Sequence, residues 1–323
     1  MAATAKSPLF TQQVVKVMRS MYPEELAERS WDNVGLLQEN VDLGARRPNT
    51  TVMLTNDLTL SVAEEAIRRD ASVIVTYHPF IFRGLKCITL ADPQQRIVLL
   101  LAQNNIAVYS PHTAIDAAPG GMNDWLADML DGHSVNTRRT VIKPSPAPVP
   151  AGFTGAGYGR LVEFGHSVHI GRIVEAYAQG LGNLRHVMVA YPRTDPSVRS
   201  SRPSSRSASP PLPTGPPIAI RTVAICAGSG SDLFKDCDAD MYVTGEMSHH
   251  AALRLTMLGK VVLTVFHSNS ERKFLQKKLQ PQLKEALRTV AGAEVIISEE
   301  DADPFEIWDV QNLPQWAFDN RRP

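Results

Sequence analysis

The sequence predicts an α/β protein whose β-sheets are flanked by helices, and two observations carry that prediction. The first is alternation. Short apolar, β-branched runs at 51–55, 71–76 and 106–110 are separated by amphipathic stretches of helical length at 60–69 and 94–104. Strand, helix, strand, helix, strand is the grammar of crossover connections. The second is what stands at the ends of the strands. The run 71–76 delivers Tyr77, His78 and Pro79, and the run 106–110 is followed by Pro111, His112 and then Asp116. A further buried-strand pattern at 261–266 ends in His267, with Glu271 four residues on.

Ligands of open α/β sheets gather outside the carboxyl ends of the strands. Three strands ending in this way are expected to bring His78, His112, Asp116, His267 and Glu271 into one crevice. Imidazole and carboxylate donors together suit zinc, iron or manganese better than magnesium or calcium. Each pair also has a plainer account. Ser268, Asn269 and Ser270 are good caps for a helix beginning near Glu271, where the helix dipole favours an acid, and His267 is then a satisfied edge residue. Recurrence at three strand ends is what favours a metal site.

Composition narrows the function classes. The 323 residues suffice for one large α/β domain or two smaller ones, and 33 Lys plus Arg balance 33 Asp plus Glu. Zero net charge argues against a general electrostatic grip on nucleic acid or anionic lipid. Cys87, Cys226 and Cys237 are odd in number and lack metal-ligand spacing, which fits a reducing compartment. No apolar run reaches membrane-spanning length. The first 21 residues carry Lys6, Lys16 and Arg19 with no acid, a weak transit-like feature. Phe10, Val14, Val15 and Met18 fall at helical spacing there, so the stretch is expected to be the first helix. A cytoplasmic protein is expected, with a mitochondrial one as the alternative.

Along the rest of the chain, 23–28 reads as a turn and short helix, and 30–38 as a loop feeding a strand. Asp32 and Asn33 either hold that loop through side-chain-to-backbone bonds or serve the site. Asn56 and Asp57 end the first strand of the alternating series. A helix is expected at 122–130, a proline-rich connector at 143–150, strands at 160–164 and 186–190, and a helix at 168–181. Residues 193–217 are built almost wholly of Ser, Pro, Arg and Thr, a composition expected to be a disordered insertion. Strands at 218–226 and 241–244 follow. Glu246, His249 and His250 then open a helix, either as proton-shuttling groups near the metal or as an ordinary polar helix start. Leu275, Leu279, Leu283 and Leu287 form a stripe that Pro281 interrupts, so a kink or two helices are expected before a last strand at 293–298.

The motifs Ser30-Trp-Asp-Asn-Val-Gly-Leu36, Tyr77-His-Pro-Phe80, His112-Thr-Ala-Ile-Asp116, Thr244-Gly-Glu-Met-Ser-His-His250 and His267-Ser-Asn-Ser-Glu271 stand in this order along the chain. Together they resemble the NGG-one-interacting factor three (NIF-three-like) family, also labelled GTP cyclohydrolase I type 2 homologues. The resemblance runs from the first helix to the last strand, with 193–217 as an insertion. It implies a two-lobed α/β protein with mixed β-sheets flanked by helices and a two-metal centre at the C-terminal ends of strands. One lobe would comprise 1–130 with 260–323 and carry the metal, and 131–259 would form the second. It also implies a ring-shaped homohexamer. By motif, His78, Asp116, His267 and Glu271 fall on ligand positions and His112 on a partner position beside them. Bacterial members usually carry two adjacent histidines where this chain has Tyr77 and His78. Tyr77 is therefore a candidate ligand at a weakened position, and one or two divalent ions (Zn, Fe or Mn) are expected per chain. The activity implied is a metal-dependent, cyclohydrolase-like hydrolase acting on a nucleotide-like or small heterocyclic substrate, with His112, Glu246 and His249 as catalytic candidates. The alternatives are a non-catalytic oligomeric scaffold with protein partners, transcriptional ones included, and a metal-handling protein.

Overall fold

The computed structural model describes residues 6–42, 44, 49–146, 148–192 and 219–310, so the 193–217 insertion and the end of the C-terminal tail lie outside the described residues. Helix α1 (Leu9–Met21) buries Phe10, Val14, Val15 and Met18, the stripe its sequence spacing marks out. A 3-10 turn at Glu24–Leu26 leads to β1 (Gly35–Gln38). Then come β2 (Thr51–Thr55), α2 (Leu60–Arg68), β3 (Ala71–Thr76), α3 (Pro93–Gln103) and β4 (Ala107–Ser110). The helix starts have local causes. Thr59 accepts a hydrogen bond from the Val62 amide at the head of α2, and Asp92 does the same for Gln95 ahead of Pro93 in α3. Helices α4 (His112–Ala117) and α5 (Met122–Asp128) complete the first half.

The second half opens with the antiparallel pair β5 (Arg138–Pro144) and β6 (Gly157–His169). It continues through α6 (Ile170–Gly180), β7 (Met188–Ala190), β8 (Ala219–Ser229), β9 (Met241–Glu246), α7 (His249–Met257) and β10 (Val261–Thr264). After β10 the chain makes a 3-10 turn at Ser268–Ser270, a short α8 (Arg272–Phe274), a π stretch at Leu275–Leu279, then α9 (Gln280–Ala286) and β11 (Glu294–Ile297). The break expected at Pro281 is this π stretch, which ends where the proline enters the first turn of α9.

Two mixed sheets result. The first has the order β1-β4-β3-β2-β11, the second β5-β6-β8-β9-β10-β7. Period-two alternation sorts each strand's side chains. In the first sheet Val52, Leu54, Val73, Val75 and Tyr109 face one core, while Met53, Ile74 and Val108 pack with Val62, Ile97 and Leu101 of α2 and α3. In the second, Val223, Ile225, Val243, Val261 and Leu263 join the same core as the first sheet. Ala224, Tyr242 and Val262 pack on its other side with Phe234 and Leu255. The largest apolar cluster therefore lies between the sheets, filled by side chains of α1, α5 and the helical run after β10.

Three placements differ from the sequence expectations. The strand 261–264, expected with 1–130, is hydrogen-bonded between β9 and β7 in the second sheet, and only β11 of the 260–323 stretch returns to pair with β2. Its apolar run is equally suited to either sheet, so pairing decided its place. Strand β5 was not expected: it is an edge strand with an Arg-, Lys- and Pro-bearing sequence, the composition by which edges resist further pairing. Helix α4 was not expected either, since it follows Pro111 and runs for six residues only.

Candidate metal centre

The facing sheets bring strand ends together from both sides. From the first sheet, the turns after β2 and β3 are laced by backbone bonds, Tyr77 N to Thr55 O at 2.9 Å and His78 N to Asn56 O at 3.0 Å. From the second sheet, the chain leaves β10 at Thr264 and reaches Phe266, whose φ of 69° turns it sharply before His267. Ser270 Oγ closes that turn, donating to His267 O at 2.6 Å and accepting from Gly228 N at 2.9 Å. The crevice expected at one sheet edge is thus the space where two sheets meet.

His78, His267 and Glu271 offer ligand atoms that all lie within 4.8 Å of one another. His78 Nε2 stands 3.5 Å from Glu271 Oε2, and His267 Nε2 stands 3.3 Å from Glu271 Oε1. The carboxylate is 1 % exposed. Each imidazole is backed at its other nitrogen by a carboxylate: Asp57 Oδ1 lies 2.8 Å from His78 Nδ1, and Glu246 Oε1 lies 3.2 Å from His267 Nδ1. A third pair repeats the arrangement alongside, with Asp32 Oδ1 at 2.7 Å from His112 Nδ1. A carboxylate on Nδ1 holds that proton, fixes the ring and leaves Nε2 as the free donor.

The electrostatics ask for positive charge at this point. Burial disfavours a charged His78, yet its hydrogen bonds to Asp57 and Glu271 outweigh burial and raise it to about 10. The Glu271 hydrogen bond raises His267 to about 9 against burial. Burial would raise Glu271, but His267 and His78 hold it down at about 2. A buried carboxylate thus draws cationic character onto both neighbours, a charge that a divalent ion replaces.

Two further observations fit a cation here. A Cβ on Gly228, which has φ +60°, would stand 2.8 Å from Glu271 Oε1 and 3.2 Å from His267 Nε2, so the backbone passes too close for any other residue. Asn56 is fully buried and its Nδ2 donates to Glu271 Oε2 at 3.1 Å, while its Oδ1 has no hydrogen-bond partner among the described residues. Two imidazoles and a carboxylate, the latter oriented by the Asn56 amide, form a donor set for zinc, iron or manganese.

The other sequence-singled residues fall around this trio. His112 lies 5.5 Å from His78 between ring centroids. Asp116 is half-buried, and burial raises it to about 7. Tyr77 donates to Asp116 Oδ1 at 2.8 Å, and burial, with the Asp116 and Glu271 charges, pushes its phenol well above 10. Glu246 backs His267, as described. His249 is exposed and meets His250 edge-on at 5.4 Å, and no hydrogen bond, ion pair or ring contact among the described residues joins it to the trio. Sequence reasoning assigned no role to Asp57. Its only signal was its place at a strand end beside Asn56, and its partner His78 is 21 residues away.

Two facing mixed sheets with a histidine–carboxylate group between their strand ends define an α/β protein able to hold one metal ion. Residues 10–304 match the family Duf34/NIF3 (NGG1p interacting factor 3), and the chain belongs to it. It is 38 % identical over 307 residues to NGG1-interacting factor 3 of Saccharomyces cerevisiae, covering 91 % of this chain and 97 % of that protein. It is 40 % identical over 300 residues to a NIF3 homologue of Schizosaccharomyces pombe, with 91 % and 97 % covered. Among solved structures, a Bacillus cereus protein related to NIF3 superposes with a TM-score of 0.69 at 22 % identity, over 94 % of this chain and 100 % of that one.

Proposed function

We propose that the chain is a metal-dependent hydrolase of the cyclohydrolase type, acting on a nucleotide-like or other small heterocyclic molecule. The observation that supports this reading is the convergence of His78 and His267, each backed by a carboxylate, on the buried Glu271. These three residues would hold the ion, with Asp116 and its Tyr77 partner standing beside it. When bound, the metal supplies Lewis-acid polarisation and a place to activate water. The chain's own contribution is proton handling and orientation. Asp32 holds the Nδ1 proton of His112 and keeps its ring in place, so Nε2 can take up and return a proton. Asp116, held near 7 by burial, exchanges its proton near neutrality, and the Tyr77 hydroxyl steadies its ionised form.

The test is turnover of GTP and other purine nucleotides by zinc-, iron- or manganese-loaded protein, followed as loss of ring absorbance. The Asp32→Asn variant should retain its metal and lose roughly a hundredfold in kcat. Metal-loaded protein inert towards the whole panel would count against hydrolysis. It would favour the second reading, an oligomeric interaction protein. The printed name of the Saccharomyces relative supports that alternative, as do Phe305, Ile307 and Val310, exposed together near the C-terminus. Both readings share a homohexamer, which light scattering would check. No helix among the described residues is long and apolar enough to cross a membrane, and a cytoplasmic location is part of the proposal.

A further inference from the structure

Large aromatic rings left open to water need an explanation when they stand beside a polar cleft. Trp31 is 53 % exposed and Phe82 43 % exposed, with ring centroids 6.1 Å apart. Trp31 also meets His112 edge-on at 6.0 Å. His112 in turn lies 5.5 Å from His78, and His78 lies 5.3 Å from His267. A file of rings therefore runs from the metal-ligating trio to the surface and ends in two flat apolar faces.

The loops that carry those faces are pinned. Asp32, next to Trp31, accepts from Thr113 N at 3.2 Å and from the Thr113 hydroxyl, besides holding His112. Asn33 Nδ2 donates to Ile81 O, next to Phe82, so the two loops are tied to each other. The two rings are therefore presented at the surface from anchored loops, and a held backbone lowers the ordering cost of binding a rigid partner.

We propose that Trp31 and Phe82 form a stacking subsite for a flat aromatic or heteroaromatic ring, carried by a ligand whose polar end binds the metal ion that His78, His267 and Glu271 would hold. This rests on the metal reading of the trio and adds the part of the ligand that the metal does not touch. The tilt between the two rings, 51°, suits one face-on and one edge-on contact with a guest. The subsite would explain why the Ser30–Leu36 motif carries a tryptophan in addition to the Asp32 that His112 needs.

Two hydroxamates with the same metal-binding head separate the subsite from the metal. Zinc-loaded protein should bind 2-naphthohydroxamate at least tenfold more tightly than acetohydroxamate, with quenching of tryptophan fluorescence. Trp31→Leu, which keeps apolar bulk and loses the flat face, should remove most of that preference and leave acetohydroxamate affinity unchanged. Acetohydroxamate binding with no gain from the fused rings, or a gain indifferent to Trp31→Leu, would overturn the subsite and leave the metal reading standing. Protein that takes up no zinc would overturn the metal reading and the subsite with it, and zinc-loaded protein that binds neither hydroxamate would overturn the subsite alone. A fall in oligomer mass for Trp31→Leu, with ligand preference intact, would assign the rings to a contact between copies and overturn the proposal.

Discussion

At the scale of single residues, the site depends on carboxylates that touch no metal. Asp57 keeps the Nδ1 proton of His78 and so decides which nitrogen faces Glu271. Asp57→Asn retains the shape and loses the charge. It is expected to weaken metal binding by about 10- to 100-fold, the range for such outer partners, with little change in fold. Competition against a chelator of known affinity measures this, and an unchanged affinity would show that His78 needs no such partner. Tyr77 belongs to the same scale. Its hydroxyl is spent on Asp116, and burial keeps its proton in place, so in this arrangement the phenol steadies a carboxylate.

At the scale of elements, the two ligand-bearing turns come from different sheets and need something to fix their spacing. The chain just after β11 does this. Asp301 Oδ2 accepts from the Asn56 amide at 2.8 Å beside the first turn, and Oδ1 accepts from Arg272 Nη2 at 3.4 Å beside the second. Asp303 accepts from the Ser268 hydroxyl, and Glu65 accepts from the amides of Glu299 and Glu300, which ties the strap to α2. Asp301→Ala leaves Arg272 without its paired charge and the Asn56 amide without a partner. It should cost about 3 kcal/mol in urea denaturation and lower metal affinity as well. A neutral result in both would mean the strap merely passes by.

The strap also shows where legibility in the sequence stops. Strands β2 and β3 were readable to the residue, because unbroken β-branched runs bounded by polar turns have few other homes. His78, His267 and Glu271 were readable because they stand at the ends of such runs. Asp57, Asp301 and the sheet membership of β10 were not. Each is settled by a partner far away in sequence, and no local pattern records a partner. Asp32 was half-readable: its loop-holding role is real, and the same carboxylate serves His112.

For the whole molecule, stability rests on the apolar cluster shared by both sheets, with a buried ion pair at its edge. Arg160 of β6 is 3 % exposed and is gripped by both oxygens of Asp124 on α5, at 2.6 and 2.9 Å. Burial alone would raise the Asp124 carboxyl, but the Arg160 hydrogen bonds and charge outweigh it and hold it below its ordinary value. A depressed carboxyl adds stability above its unfolded pKa of about 3.9 and loses it as pH falls through the folded value. The melting temperature should therefore drop steeply below about pH 4. Asp124→Asn should be less stable at pH 7 and show a shallower acid limb, and parallel acid limbs would remove Asp124 from the account.

The metal centre is the claim on which the functional account stands, and elemental analysis of the purified protein tests it most directly. The protein should carry at least one zinc, iron or manganese ion per chain after dialysis. The double variant His267→Ala, Glu271→Ala should lose nearly all of it while circular dichroism shows the fold retained. Full metal retention in that folded double variant would contradict the assignment of the site.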